Sequence, residues 1–486
     1  MEEAKIKRRK MEDQNVTEKR DCLAELPEPL LHDILSCLTM KDVIRTCVLA
    51  KRWRYIWLYV PCLTFSPLKM TRSKELAFIT QSLLLHKGPK VQKLNITFNY
   101  STEALVLDSW IHFALTRNVN QLYLDFSRCN SYRSKYKLHD IVFSCSSLTV
   151  LALKSCIIKL PVKVKLRSLK TLSFEKVKFD GGAISDMLSC CSILEDLSFA
   201  NCHLGNNPHL AIRNSGVKTL KIQGSPFSKK SKLEINAPFV VSFQLIGGLF
   251  SKHFVTKRMG SLCRASFVCS ELDACCEQVY TNFSNLENLE YLRHVKDLRM
   301  CSCYIQAMSN KEKPTQDCRE KHIMDFISFD VTCLRIKTGM MEQELRRIAY
   351  ILSLSPNVET LIISVDKIQG NELYDTLAEM EYWKREEAKF VNLLCKLKDV
   401  KIYGFLRNLV GLESKHMSAL EECLAHLRNN MYFLRFLLKT SKVMERMTIT
   451  TVKNFEHGRN SESNKKLTKV LLAFPRASQA AQISFN

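Results

Sequence analysis

One phrase recurs along this chain and limits what it can fold into: an apolar residue, two unconstrained positions, then two apolar residues flanking a single position. It is complete at Leu148, Leu151 and Leu153 with Cys156 following, at Leu194, Leu197 and Phe199 with Cys202, and at Val295, Leu298 and Met300 with Cys303. Looser copies are Val91, Leu94, Ile96 and Asn99; Val119, Leu122 and Leu124; Leu169, Leu172 and Phe174; Val217, Leu220 and Ile222; Val240, Phe243 and Leu245. Leu262, Ala265 and Phe267, then Val331, Leu334 and Ile336, then Val358, Leu361 and Ile363 complete the set. The closing alternation is that of a short strand with one face inward. One copy cannot bury its apolar face alone, so the copies must stack into a continuous core. Their separations run from about 21 to 36 residues, an irregular array.

With its Asn or Cys ending, the phrase resembles the leucine-rich repeat. That resemblance implies a solenoid: a curved parallel sheet over about residues 90–370, with helices or loops on the convex side. Cys156, Cys202 and Cys303 then take the turn where strand gives way to loop. Residues 183–188, leading into Cys190, Cys191 and Leu194, read as a short convex helix with Cys191 buried. Outward on the strands lie Ala152, Lys154, Ser173, Glu175, Ser198, Lys221, Gln244, Arg299, Arg335 and Lys337. Any one of them is by default merely solvated. As a set they form a recognition face, with Lys154, Glu175, Lys221, Arg299, Arg335 and Lys337 as candidate target-binding residues. Basic residues outnumber acidic ones there, which favours an acidic target. Residues 224–230, 309–315 and 366–387 break the pattern and read as loops, with a helix expected from 372 to 387.

Ahead of the repeats, Leu26 to Trp57 packs three short apolar-faced helices into about forty residues, too few for a core of their own. Pro27 suits the first helical position and Glu28 faces the positive end of the helix dipole. Leu30, Leu31, Ile34, Leu35 and Leu38 fall at helical spacing. Thr39 and Asp42 read as a capping box for a second helix lined by Val43, Ile44, Cys47 and Val48. Trp53, Ile56 and Trp57 recur on a third, with Lys51, Arg52 and Arg54 on its wet side. This stretch resembles an F-box over residues 21–66, including its Leu-Pro opening and paired tryptophans. Ala50 departs from the family's usual Ser, a cap worth about 1 kcal/mol, so a looser third helix is expected. The resemblance implies docking on a Skp-family adaptor and, through it, a cullin. Leu26, Pro27, Leu30, Leu31, Ile34, Leu35, Leu38, Val43, Val48, Leu49, Trp53 and Trp57 would supply the Skp-facing and internal apolar surfaces.

Beyond the repeats, Leu397, Val400, Ile402, Gly404 and Phe405 read as a strand ending in glycine. A charged amphipathic helix with Leu420, Cys423, Leu424, Leu427 and Met431 follows, then Phe436, Leu437, Leu438, Val443, Met447 and Ile449. This order is similar to the FBD domain that closes many plant F-box/leucine-rich-repeat proteins, over residues 386–452. It is read as a cap on the solenoid or a second interaction surface. Residues 1–20 read as a basic disordered tail and 453–486 as a polar one. The expected class is therefore α/β: a three-helix F-box, an irregular solenoid and an FBD cap.

Composition narrows function. No run approaches the eighteen or so apolar residues of a membrane span; residues 237–250 come nearest and are broken by Ser242, Gln244 and two glycines. The charged start is unlike a signal peptide, so an intracellular protein is expected, nuclear, cytoplasmic or both. Lys5 and residues 7–10, with Lys19 and Arg20, fit a nuclear import signal. The twenty cysteines should then stay reduced. Cys190 and Cys191, Cys275 and Cys276, and Cys301 and Cys303 are near neighbours, yet no paired framework at ligand spacing appears, so structural cysteines and no metal or cofactor are expected. The net charge of +23 raises nucleic-acid binding as an alternative. Much of the excess between residues 128 and 178 alternates with apolar residues, as solvated strand faces do. A small-molecule receptor coupled to ubiquitination is the other alternative.

No metalloprotease motif, phosphate-cradling glycine loop, nucleophile elbow or dinucleotide turn is present. His32 and Asp33 are the most tempting pair, but they fall on the wet side of a docking helix. The expected function is a non-catalytic substrate-recognition adaptor of an SCF-type ubiquitin ligase. It supplies proximity.

Overall fold

The computed structural model describes residues 26–99, 103–127, 135–161, 163–180, 184–205, 209–224, 232–247, 253–257, 259–269, 289–309, 328–340, 342–365, 393–405, 430–451 and 469–485. The basic segment 1–20, the loops at 225–230, 310–315 and 366–387 with the helix expected in the last, and Cys275 and Cys276 lie outside these residues, as does the amphipathic helix before Asn430. The chain divides into two compact units, Met1–Ile158 and Lys159–Asn486.

The first unit opens with α1 (Glu28–Ser36) and α2 (Met40–Arg45). Pro27 sits at the N-cap of α1, one position earlier than the sequence suggests, with Glu28 in the first turn. Thr39 caps α2 as expected: its Oγ1 accepts from the Asp42 N–H at 3.4 Å and donates to the Asp42 carboxylate at 2.6 Å. The third helix is not α. It is two 3₁₀ turns, Lys51–Arg54 and Ile56–Tyr59, and Ala50 makes no side-chain cap. Then come β1 (Cys62–Phe65), α3 (Arg72–Leu85), β2 (Lys93–Thr97), α4 (Ala104–Thr116), β3 (Gln121–Asp125), β4 (Lys137–Leu138), β5 (Val150–Lys154) and β6 (Ile157–Ile158). Strands β1, β2, β3 and β5 pair in parallel, in that order. Leu63, Leu94, Leu122 and Leu151 occupy one register, and Phe65, Ile96, Leu124 and Leu153 the next inward one; all eight are buried. β4 pairs with β6.

The second unit carries β7 (Thr171–Glu175), β8 (Lys178–Phe179), α5 (Ile184–Cys190), β9 (Asp196–Ala200), β10 (His209–Arg213), β11 (Thr219–Gln223), β12 (Lys232–Asn236), β13 (Ser242–Ile246), β14 (His253–Lys257) and β15 (Arg264–Val268). It continues with β16 (Asp297–Cys301), α6 (Ser302–Ser309), β17 (Cys333–Thr338), α7 (Glu342–Ser353), β18 (Thr360–Val365), β19 (Asp399–Tyr403), β20 (Arg446–Thr450) and β21 (Gln482–Phe485). The parallel order is β7, β9, β11, β13, then β15 to β21 in sequence. Every repeat phrase from Leu169 onward forms one strand of this ladder. Its inward residues stack strand to strand, Phe174 with Phe199 at 5.6 Å and Phe243 with Phe267 at 5.8 Å.

Three departures matter. The last residues of the helical module, Cys62–Phe65, are already the first strand, because Val60, Leu63 and Phe65 are themselves a copy of the phrase and all buried. On the far side of the repeats β10, β12 and β14 form a second parallel sheet where helices or loops were expected. Within the stretch read as a polar tail from 453, Gln482–Phe485 forms β21 and pairs with β20. Cys191 is buried after α5 as expected, and burial pushes its thiol up to about 11. Among the described residues, no helix is long and apolar enough to cross a membrane.

Candidate functional site

Two surfaces stand out, one in each unit. In the first, Leu31, Leu35, Val43, Trp53, Ile56 and Val60 make a small core, with Leu26, Ala50 and Trp57 packed against it. Helix α1 thus spends one stripe of its apolar face on the module itself. The adjacent stripe, Leu30, Ile34 and Leu38 at intervals of four, stays 49%, 43% and 37% exposed. Val48 and Leu49, expected to line the second helix or its partner, are more exposed still, at 87% and 62%. Tyr55 and Tyr59 are open as well and were missed by the sequence reading. Pro27 is exposed; His32 is half-buried and Asp33 exposed, as a solvated face requires.

In the second unit the outward residues of β11, β13, β15, β16 and β17 line a groove of about 600 Å³. Its floor is Thr219, Ser242, Gln244 and Ser266; its basic wall is Arg264, Arg299 and Arg335. The ladder places Arg299 directly opposite Arg335 and one strand from Ser266. Like charges so placed repel. Arg335 is offset by Asp297, which it grips with Nε at 2.9 Å and Nη2 at 3.1 Å. Among the described residues, neither Arg264 nor Arg299 has an ion-pair partner. The groove is therefore a polar cleft with uncompensated positive charge, suited to carboxylate or phosphate groups.

The structure brings together Arg299 and Arg335 of the candidate target-binding residues. Lys221 shares their row on β11 and Lys337 follows Arg335 on β17, but neither lines the groove, nor does Glu175. Lys154 belongs to the first unit and pairs with Asp125 at 3.7 Å. Arg264 and Asp297 went unread because each precedes the first inward strand residue, Ala265 or Leu298, by one position. That position is also outward, so the alternation could have revealed it.

Residues 23–65 match the F-box domain family, and residues 83–457 match the family described as the At1g61320/AtMIF1 LRR domain. The second match runs through the whole of the stretch read as FBD, residues 386–452. The chain is similar to the F-box/FBD/LRR-repeat protein At5g56420 of Arabidopsis thaliana, 34% identical over 214 residues, which is 42% of this chain and 50% of that protein. It is 30% identical over 236 residues to the F-box/LRR-repeat protein At1g55660 of Arabidopsis thaliana, 46% of this chain and 64% of that one. It is 35% identical over 182 residues to the FBD-associated F-box protein At5g56370 of the same plant, 36% of this chain and 42% of that one. The chain thus spans between two fifths and two thirds of the length of these relatives.

Proposed function

Since the chain belongs to the plant F-box/LRR family, with a repeat domain of the At1g61320/AtMIF1 type, we propose that it is the substrate-recognition adaptor of an SCF-type ubiquitin ligase. The F-box docks on a Skp-family subunit, which links it to a cullin, and the repeats hold an acidic target protein for modification. The chain itself catalyses nothing; it raises the local concentration of the target beside the enzyme that acts on it.

The observation that carries this reading is the open stripe Leu30, Ile34 and Leu38 beside a module core already filled by Leu31 and Leu35. Fully burying such a side chain is worth about 1.5–3 kcal/mol, so a matching surface gains several kcal/mol by covering the stripe. The groove supports the second half. Two unpaired arginines on adjacent strands attract an acidic segment and favour bidentate contacts to it.

The test separates these halves. Ile34→Asp with Val48→Asp alters exposed positions only, leaving the core intact, whereas Leu31→Asp would unfold the module. Capture of a Skp-family protein by the double variant should fall at least about tenfold, roughly 1.4 kcal/mol; undiminished capture sinks the docking assignment. Arg264→Glu with Arg299→Glu should keep Skp capture and lose the targets that accumulate in tissue with proteasome activity blocked. Targets retained by that variant would remove the groove from the recognition surface.

A further inference from the structure

Strands β15 and β16 run side by side with Ala265 opposite Leu298 and Phe267 opposite Met300. The residue just past the first strand, Cys269, therefore arrives beside Cys301, the last residue of the second. The Cys269 N–H donates to Cys301 Sγ at 3.3 Å, and the two sulfurs are 3.4 Å apart. The expected loop after β16 is not there. The chain enters the eight-residue α6 at once, which makes Cys301 its N-cap and places Cys303, expected in a turn, as its second residue. All three sulfurs lie within 4.8 Å of one another. A tetrahedral Zn²⁺ with Zn–S bonds of about 2.3 Å holds its sulfurs about 3.8 Å apart, so the cluster is already near coordination size.

We infer that Cys269, Cys301 and Cys303 form a Zn²⁺ site that clips two rungs of the ladder together. The donor set is sulfur only, which selects a soft or borderline cation over Mg²⁺ or Ca²⁺. Three thiolates carry three negative charges. Zn²⁺ leaves one of them for the helix N-terminus to offset, whereas Cu⁺ would leave two. Cys301 is buried while Cys269 and Cys303 are half-buried, so a fourth position faces solvent and takes water or an incoming ligand. On loading, each thiol exchanges its S–H bond for an S–Zn bond and releases its proton to the buffer.

The test uses the full chain, reduced and stripped with a chelator, then titrated with Co²⁺ as an optical probe and with Zn²⁺. About one equivalent of Co²⁺ should bind with sulfur-to-cobalt charge-transfer absorption and be displaced by Zn²⁺. Cys301→Ser should lose this signal and Cys263→Ser, at an exposed cysteine outside the cluster, should keep it. The wild-type chain gives a second reading that needs no variant to fold. Zn²⁺ should slow alkylation of Cys269 and Cys303 about tenfold, mapped by peptide mass, while Cys263 and Cys395 react unchanged. Absence of binding, a signal surviving in Cys301→Ser, or alkylation of Cys269 and Cys303 unmoved by Zn²⁺ overturns the inference.

Discussion

Burial pushes the His86 imidazole below its usual pKa, assisted by the nearby Arg117 charge and opposed by a hydrogen bond to the Val60 carbonyl. Only the neutral ring fits: Nε2–H donates to the Val60 oxygen at 3.1 Å, the ring meets Phe113 edge-on at 5.8 Å, and Nδ1 is buried without a hydrogen-bond partner. A proton on Nδ1 would be an unpaired charge in an apolar setting. The sign of the linkage follows. Below the ordinary histidine pKa of about 6.5 the unfolded chain binds a proton that the folded chain refuses, so stability falls as pH drops from there toward the lowered folded value. The melting temperature of the wild type should therefore decline from about pH 7 to pH 5, and His86→Gln, which keeps an N–H for Val60 but cannot titrate, should flatten that part of the curve. Equal slopes in the two proteins would place the sensitivity elsewhere. The strand ends show another residue-scale constraint. Ser155, Lys176 and Asn201, each directly after a strand, have φ of 58°, 53° and 51°, and Gly224 takes the same place at 75°. A Cβ on Gly224 would lie 1.9 Å from Asn201 Oδ1, so this rung accepts only glycine without a shift.

At the scale of the element, the weak point is the 3₁₀ pair that follows Ala50. Ala50 is extended at φ −158° and ψ 159°, the backbone setting of an N-cap, and its carbonyl accepts from the Trp53 N–H at 3.0 Å, but it has no side-chain oxygen to offer. Ala50→Ser supplies one, and should raise the melting temperature by stabilising the module about 0.5–1 kcal/mol; no change would mean the turn's N–H groups are already satisfied by solvent. The spacing of Trp53, Ile56 and Trp57 fits an α-helix equally well, which is why sequence could not foresee the break. It falls at Tyr55, φ −120°, where the buried Trp53 and Ile56 are both drawn toward the Leu31–Leu35 stripe. The strands were the legible part, since a period of two marks them wherever a leucine or phenylalanine pair recurs. The candidate groove was half legible. Alternation shows that Arg299 and Arg335 face outward, but their adjacency depends on β16 pairing with β17 across 31 intervening residues, a separation the repeat phrase does not dictate. The cysteine cluster was invisible for the same reason: Cys269 and Cys301 are neighbours through strand order, not through spacing.

For the molecule as a whole, a parallel ladder has two ends, and each is covered or finished with a short edge strand, since a longer bare edge invites pairing by any passing strand. The first end is met by the helical module. The second falls in the stretch that polarity alone assigned to a tail. There the segment 469–485 ties itself down before pairing: Ala477 N donates to the Leu438 carbonyl at 2.9 Å, Ser478 Oγ to the Met444 carbonyl at 2.6 Å, and Arg476 Nη1 to the Ala481 carbonyl at 2.7 Å. Gln482 N then donates to the Glu445 carbonyl at 2.9 Å and opens the pairing of β21 with β20. The signal was faint because Ile483 and Phe485, as residues of an edge strand, are only half-buried and need little apolar company. Ending the chain after residue 468 should therefore strip the outer edge of β20, leaving Met447 and Ile449 covered from one side only. The truncated protein should melt at lower temperature and self-associate in a concentration-dependent way by light scattering, while its capture of a Skp-family protein stays at the full-length level because the docking helices lie in the other unit. A truncated chain that matches the full chain in both melting and scattering would show that β21 closes nothing.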